Sequence, residues 1–116
     1  MGKHKLDRLF NHIEDLTAKQ SQFEQDSVDW MSLESQIVFA ECMIFNKLLK
    51  TENIDINEYS AILSLISLHL ITYIEEDKFK DEINTLTMDA KVMMYLVLEH
   101  IENHLGDIEN GHAENN

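Results

Sequence analysis

Apolar residues along this chain recur at intervals of three and four, the period that lines up one face of an α-helix. From about His4 to Gln25, the residues Leu6, Leu9, Phe10, Ile13, Leu16 and Phe23 form a one-sided stripe opposite Arg8, Asn11, Asp15 and Gln22. Asp15 and Lys19 add a favourable pair four residues apart. This pattern predicts a helix at the edge of a bundle, resting on its own neighbours or on a partner.

Asp26-Ser27-Val28-Asp29 offers several capping side chains and opens a second helix that reaches about Lys50. Trp30, Leu33, Ile37, Ile44 and Leu48 make one apolar stripe, and Met31, Val38, Cys42, Phe45 and Leu49 make a second. Glu34 and Glu41, seven residues apart, fall on one line between them. A carboxylate inside an apolar arc is costly unless paired, hydrogen-bonded or metal-bound. The spacing therefore predicts a seam between packed neighbours, with a Lys or His of the first helix as counter-ion.

A linker, Thr51-Glu52-Asn53-Ile54, leads to Asp55-Ile56-Asn57-Glu58, which has capping-box spacing. The run Tyr59 to Ile74 that follows is the most apolar in the chain. Tyr59, Ile62, Leu63, Ile66, Leu70, Tyr73 and Ile74 share one face, with Ala61, Leu65 and Leu68 on the far side. A helix apolar nearly all round is expected to be the buried centre of the fold. Ser60, Ser64 and Ser67 form a narrow stripe whose hydroxyls can bond back to the preceding turn. The run meets Glu75 before the ~20 residues of a membrane span are reached, and hydroxyls, a histidine and two tyrosines interrupt it.

The charged stretch Glu75 to Glu82 reads as a loop with Phe79 as a lone apolar anchor. Thr85 or Thr87 caps a last helix bearing VMMYLVL (Val92 to Leu98), Ile101 and Leu105. Gly106 suits the position just past that helix, and His100 and His104 in its last turns suit the dipole or solvent. The chain is expected to be all-α: a single compact antiparallel bundle of four helices, or five, over residues 1–106, followed by a disordered acidic tail over 107–116.

Composition sharpens this picture. With no proline, three glycines and one cysteine, the chain lacks the breakers of strand-rich folds and admits no internal disulfide. The opening MGKHKLDRLF has no apolar signal segment, and Leu6 stands where a myristoylation motif wants Ser or Thr. A cytoplasmic protein without a membrane segment is the expectation.

The net charge of −13 is unevenly placed. Residues 1–25 balance Lys3, Lys5, Arg8 and Lys19 against Asp7, Glu14, Asp15 and Glu24, so the whole excess lies beyond them. Such a surface repels a phosphate backbone, which argues against direct nucleic-acid binding and for a basic protein partner.

Candidate chemistry is sparse. Glu34 and Glu41 meeting His69, or His100 and His104, would make a metal site, as carboxylates and histidines do in bundle cores. The Glu-x-x-His spacing of dimetal bundles occurs only at Glu109 and His112. His69 fits a satisfied core histidine better, and Cys42 has no cation nearby in sequence to activate it. The methionines read as core filling, and neither a phosphate loop nor HExxH is present. The expected function is therefore not enzymatic and needs no cofactor. It is an inhibitor, immunity-like or adaptor factor, of a kind phages and mobile elements encode, acting on a basic nucleic-acid-handling protein. Glu75, Glu76, Asp77, Phe79, Asp81, Glu82, Asp89, Glu99 and Glu102 are its expected contact residues. The acids are not dense enough on one face to favour a DNA mimic. The rival readings are a secretion-type chaperone and a metal-binding bundle using Glu34 and Glu41. The wide apolar arcs also admit a homodimer.

Overall fold

A computed structural model describes residues 2–50 and 56–114, with side chains over 6–50 and 59–103. Among the described residues five α-helices form an all-α bundle: α1 (Gly2–Gln20), α2 (Val28–Lys50), α3 (Ile56–Glu75), α4 (Lys80–Thr85) and α5 (Met88–Glu114). A 3-10 turn, Asp77–Phe79, leads into α4, and no strand occurs among the described residues. The linker 51–55 and the capping role expected of Asp55 lie outside the described residues.

The first helix stops at Gln20 rather than at Gln25. There the Gln20 amide donates to the Trp30 carbonyl (3.2 Å) and the Ser21 hydroxyl to the Ala18 carbonyl (2.7 Å), turning the chain back on itself. Asp26 adopts a left-handed φ of 69°, a conformation Asp tolerates better than most residues. Ser27 is the cap of α2: its hydroxyl accepts from the Trp30 amide (3.2 Å) and its carbonyl from the Met31 amide (2.9 Å). The antiparallel hairpin so formed buries Leu6 and Leu16 of α1, with Leu9, Phe10 and Ile13 packed at the margin of the core.

The hub of the fold is α2, against which α1, α3, α4 and α5 all pack. Its two apolar stripes supply Ile37, Val38, Cys42, Ile44, Phe45 and Leu48 to the interior, and Ala40 is buried beside them. The most apolar helix, α3, is not the buried centre its composition suggests. It buries one face, with Leu63, Ile66, Ser67, Leu70 and Tyr73, while Leu65 and Leu68 are 67% and 65% exposed. Ser67 is the buried member of the serine stripe, its hydroxyl bonded back to the Leu63 carbonyl at 2.7 Å.

The stretch after α3 is helical rather than a loop, and its apolar residue explains why. Phe79 is 3% exposed, with its ring 4.6 Å from that of Tyr73 and 6.4 Å from that of Trp30. Seating it plugs one end of the core and ties the 3-10 turn to α2 and α3. Thr85 closes α4 through its hydroxyl to the Glu82 carbonyl (2.7 Å), while Thr87 caps α5 through the Ala90 amide (3.2 Å). The helix then continues through Gly106 instead of ending there. The side chains beyond Asn103, and so the surroundings expected of His104 and of the acidic tail, lie outside the described residues. No described helix is long and apolar enough to cross a membrane.

Candidate functional site

Glu34 and Glu41 lie two turns apart on α2, and α3 lays His69 between them. The ring Nε2 is 3.3 Å from Glu34 Oε1, and Nδ1 is hydrogen-bonded to Glu41 Oε1. The side chains are 31% (His69), 14% (Glu34) and 15% (Glu41) exposed, so the cluster is largely withdrawn from water. With a carboxylate facing each nitrogen, both nitrogens are donors and the ring is an imidazolium. Its hydrogen bonds to Glu34 and then Glu41 outweigh burial and push its pKa up to about 10. At Glu34 burial is the largest influence and acts upward. Hydrogen bonds and charge from His69, the Gln20 amide and Lys78 together overcome it, leaving that carboxyl below its ordinary value.

The counter-ion therefore comes from α3, not from α1 as the spacing alone predicted. A metal ion needs a nitrogen lone pair, and here each nitrogen spends its position donating to a carboxylate. Among the described residues, no group of three His, Cys, Asp or Glu side chains is arranged to hold a metal ion. His100 is half-buried, edge-on to Phe45 at 6.0 Å between centroids, rather than turned to solvent. Cys42 is fully buried, and burial, followed by the neighbouring Glu41 charge, pushes its thiol up to about 12. A thiol so placed is a packing group, not a nucleophile.

One contact had no signal in the residue pattern. Ser35 donates to the Met31 carbonyl (3.1 Å), so the Tyr73 hydroxyl donates to Ser35 Oγ (2.7 Å) and pins α3 to α2 a turn from His69. Also unforeseen is an open groove of about 490 Å³ between the α1–α2 hairpin and the α4–α5 corner. It is lined by His12, Gln36, Phe39, Met43, Glu82 and Leu86, among others.

The residues expected to meet a partner divide in two. Glu75, Asp77, Asp81, Asp89, Glu99 and Glu102 are exposed, and Glu76 and Glu82 are partly so. Phe79 is not available, because it is committed to the core against Tyr73 and Trp30. Glu76 is also engaged: Lys78 Nζ lies 3.1 Å from it and 2.8 Å from Asp26. Apolar side chains expected to pack but exposed include Leu65 and Leu68 on α3 and Met88, Val92, Tyr95 and Leu96 on the outer face of α5. Comparison with known proteins finds no family model, no curated protein and no solved structure that matches the chain.

Proposed function

We propose that the protein is an acidic interaction module that binds a basic, nucleic-acid-handling protein in the cytoplasm and covers its cationic surface, as an inhibitor, immunity-like or adaptor factor. One observation carries the reading. Between Glu75 and Glu102 the chain places eight carboxylates (Glu75, Glu76, Asp77, Asp81, Glu82, Asp89, Glu99, Glu102) against Lys78, Lys80 and Lys91. Six of the eight are exposed.

Two of the three cations are already occupied. Lys78 is paired with Asp26 and Glu76, and Lys91 Nζ donates to the Asn84 carbonyl at 3.3 Å. With eight carboxylates against three lysines, the field over this half of the molecule is negative, which steers a cationic partner and rejects nucleic acid. Glu34 and Glu41 take no part, since His69 already engages them.

The test is capture of partners from host lysate after nuclease treatment, read across a salt ladder. The reading expects a basic protein that survives the nuclease and elutes with salt. Reversing Glu99 and Glu102 to Lys is expected to release it. Retention that ignores both salt and charge reversal would count against the electrostatic mechanism and for a chaperone-like apolar hold.

A further inference from the structure

We infer that the outer face of α5 is a docking seam for a cationic amphipathic helix of the partner. This rests on the interaction reading above and specifies its surface and the form of what binds there. Met88, Val92, Tyr95 and Glu99 follow one another at spacings of four, three and four, with Leu96 alongside, and all five are exposed. On a helical wheel they lie opposite Ala90, Met94, Val97 and Ile101, which α5 buries against the rest of the bundle. A 4-3-4 succession is the seam along which a second helix packs side by side. Four large apolar side chains on one exposed face exceed what solvent exposure alone explains.

The charges bordering the seam choose the occupant. Exposed Asp89 stands near its start, and exposed Glu99 and Glu102 at its other end, while the one lysine of this stretch, Lys91, is half-buried and turned to Asn84. A helix bearing Lys or Arg beside its apolar stripe satisfies both features together. A second copy of this chain does not, because pairing α5 with itself brings acids against acids or against apolar side chains. The contrast with α3 supports the same choice. Ala61, Leu65, Leu68 and Thr72 repeat the 4-3-4 succession there with no acidic residue between Tyr59 and Ile74, so that face offers a cationic helix no selectivity.

The experiment titrates the full chain with a roughly 18-residue peptide of leucine and lysine that places leucine on one helical face, and with the same peptide carrying glutamate for lysine. Binding is read by calorimetry. The expected result is binding of the lysine peptide alone, weakened about tenfold or more by Val92→Ser with Leu96→Ser and unchanged by Leu65→Ser with Leu68→Ser. Circular dichroism confirms that both double variants stay folded, which exposed positions allow. Binding that survives the α5 changes, or that follows the α3 changes instead, overturns the seam while leaving the interaction reading intact. Equal binding of both peptides overturns the charge selection. No binding of the lysine peptide, alongside lysate capture of a basic protein, removes the seam alone; failure of both removes the interaction reading with it. Concentration-dependent self-association abolished by the α5 changes would assign the face to a second copy and overturn the proposal.

Discussion

Two clusters in this molecule have the same composition, a single cation between two carboxylates, and opposite surroundings. His69 sits between Glu34 and Glu41 where α2 and α3 meet, with side chains 31%, 14% and 15% exposed. Lys78 sits between Asp26 and Glu76 at the corner beside Trp30, with side chains 35%, 51% and 42% exposed. In the first, withdrawal from water makes each partner necessary to the others, because a carboxylate left alone there has no solvent to turn to. In the second, water takes over whenever a pair opens, and the long lysine loses side-chain freedom to stay in place. Arrangement alone therefore does not tell which charges hold the fold together. Burial does.

The comparison breaks most clearly at the buried cation. His69→Leu leaves Glu34 and Glu41 beside an apolar side chain and is expected to lower unfolding stability by about 3 kcal/mol, measured by urea titration. Adding Glu34→Gln and Glu41→Gln to that variant should recover a large part of the loss, since the uncompensated charges are then gone. A small loss in the single variant would mean that water reaches the cluster freely.

A pH series gives the next effect. The folded imidazolium keeps its proton up to about 10, against an ordinary value of 6.5, so its contribution is complete below 6.5 and is lost as pH rises through about 10. Glu34, held below its ordinary 4.5, contributes above that value and less as pH falls through its folded pKa. Stability from the cluster should therefore be greatest between these limits. Thermal midpoints falling from about pH 6.5 toward about pH 10 in the parent, with a flatter limb in His69→Gln, would bear this out.

Smaller again is Glu41→Gln, which keeps an acceptor for Nδ1 but removes a charge. A cost of about 1–2 kcal/mol is expected, together with a lower His69 pKa by NMR titration. The smallest effect belongs to the exposed cluster. Lys78→Met retains an unbranched stem over the Trp30 and Phe79 rings, which the Lys78 Nζ approaches at 5.6 and 5.2 Å. Its denaturation midpoint should scarcely move, and added salt should change the parent as little.

The two clusters also mark how far the fold could be read from the residues. Glu34 and Glu41 announce themselves because a seven-residue spacing inside an apolar arc is a local property of one helix. Their counter-ion does not, because which neighbour lies over that line depends on how α3 rolls against α2. Phe79 was hidden for a similar reason. It is surrounded by Glu75, Glu76, Asp77, Lys78, Lys80, Asp81 and Glu82, and only Trp30 and Tyr73, distant in sequence, convert it from loop anchor to core.

At α3 the helix itself was legible, but its apolar outer side suggested burial that no described neighbour supplies. The caps illustrate the remaining limit. Several residues before α2 and both threonines before α5 were eligible, and hydrogen bonds to the Trp30 and Ala90 amides select Ser27 and Thr87. At the proposed site, the acids were visible as composition, whereas the α5 seam emerges only once Ala90, Met94, Val97 and Ile101 define which side is inside.

The single tryptophan of the chain stands where these separate parts meet. Trp30 holds the Gln20 amide through its carbonyl, the Ser27 cap through its amide, and Phe79 through its indole. Its emission is thus a built-in optical gauge for one corner of the molecule, recorded without any introduced label. Detachment of the 3-10 turn would alter the colour and quenching of that signal even while helical ellipticity stayed constant. Comparing the two traces during denaturation would show whether this corner melts with the bundle or ahead of it.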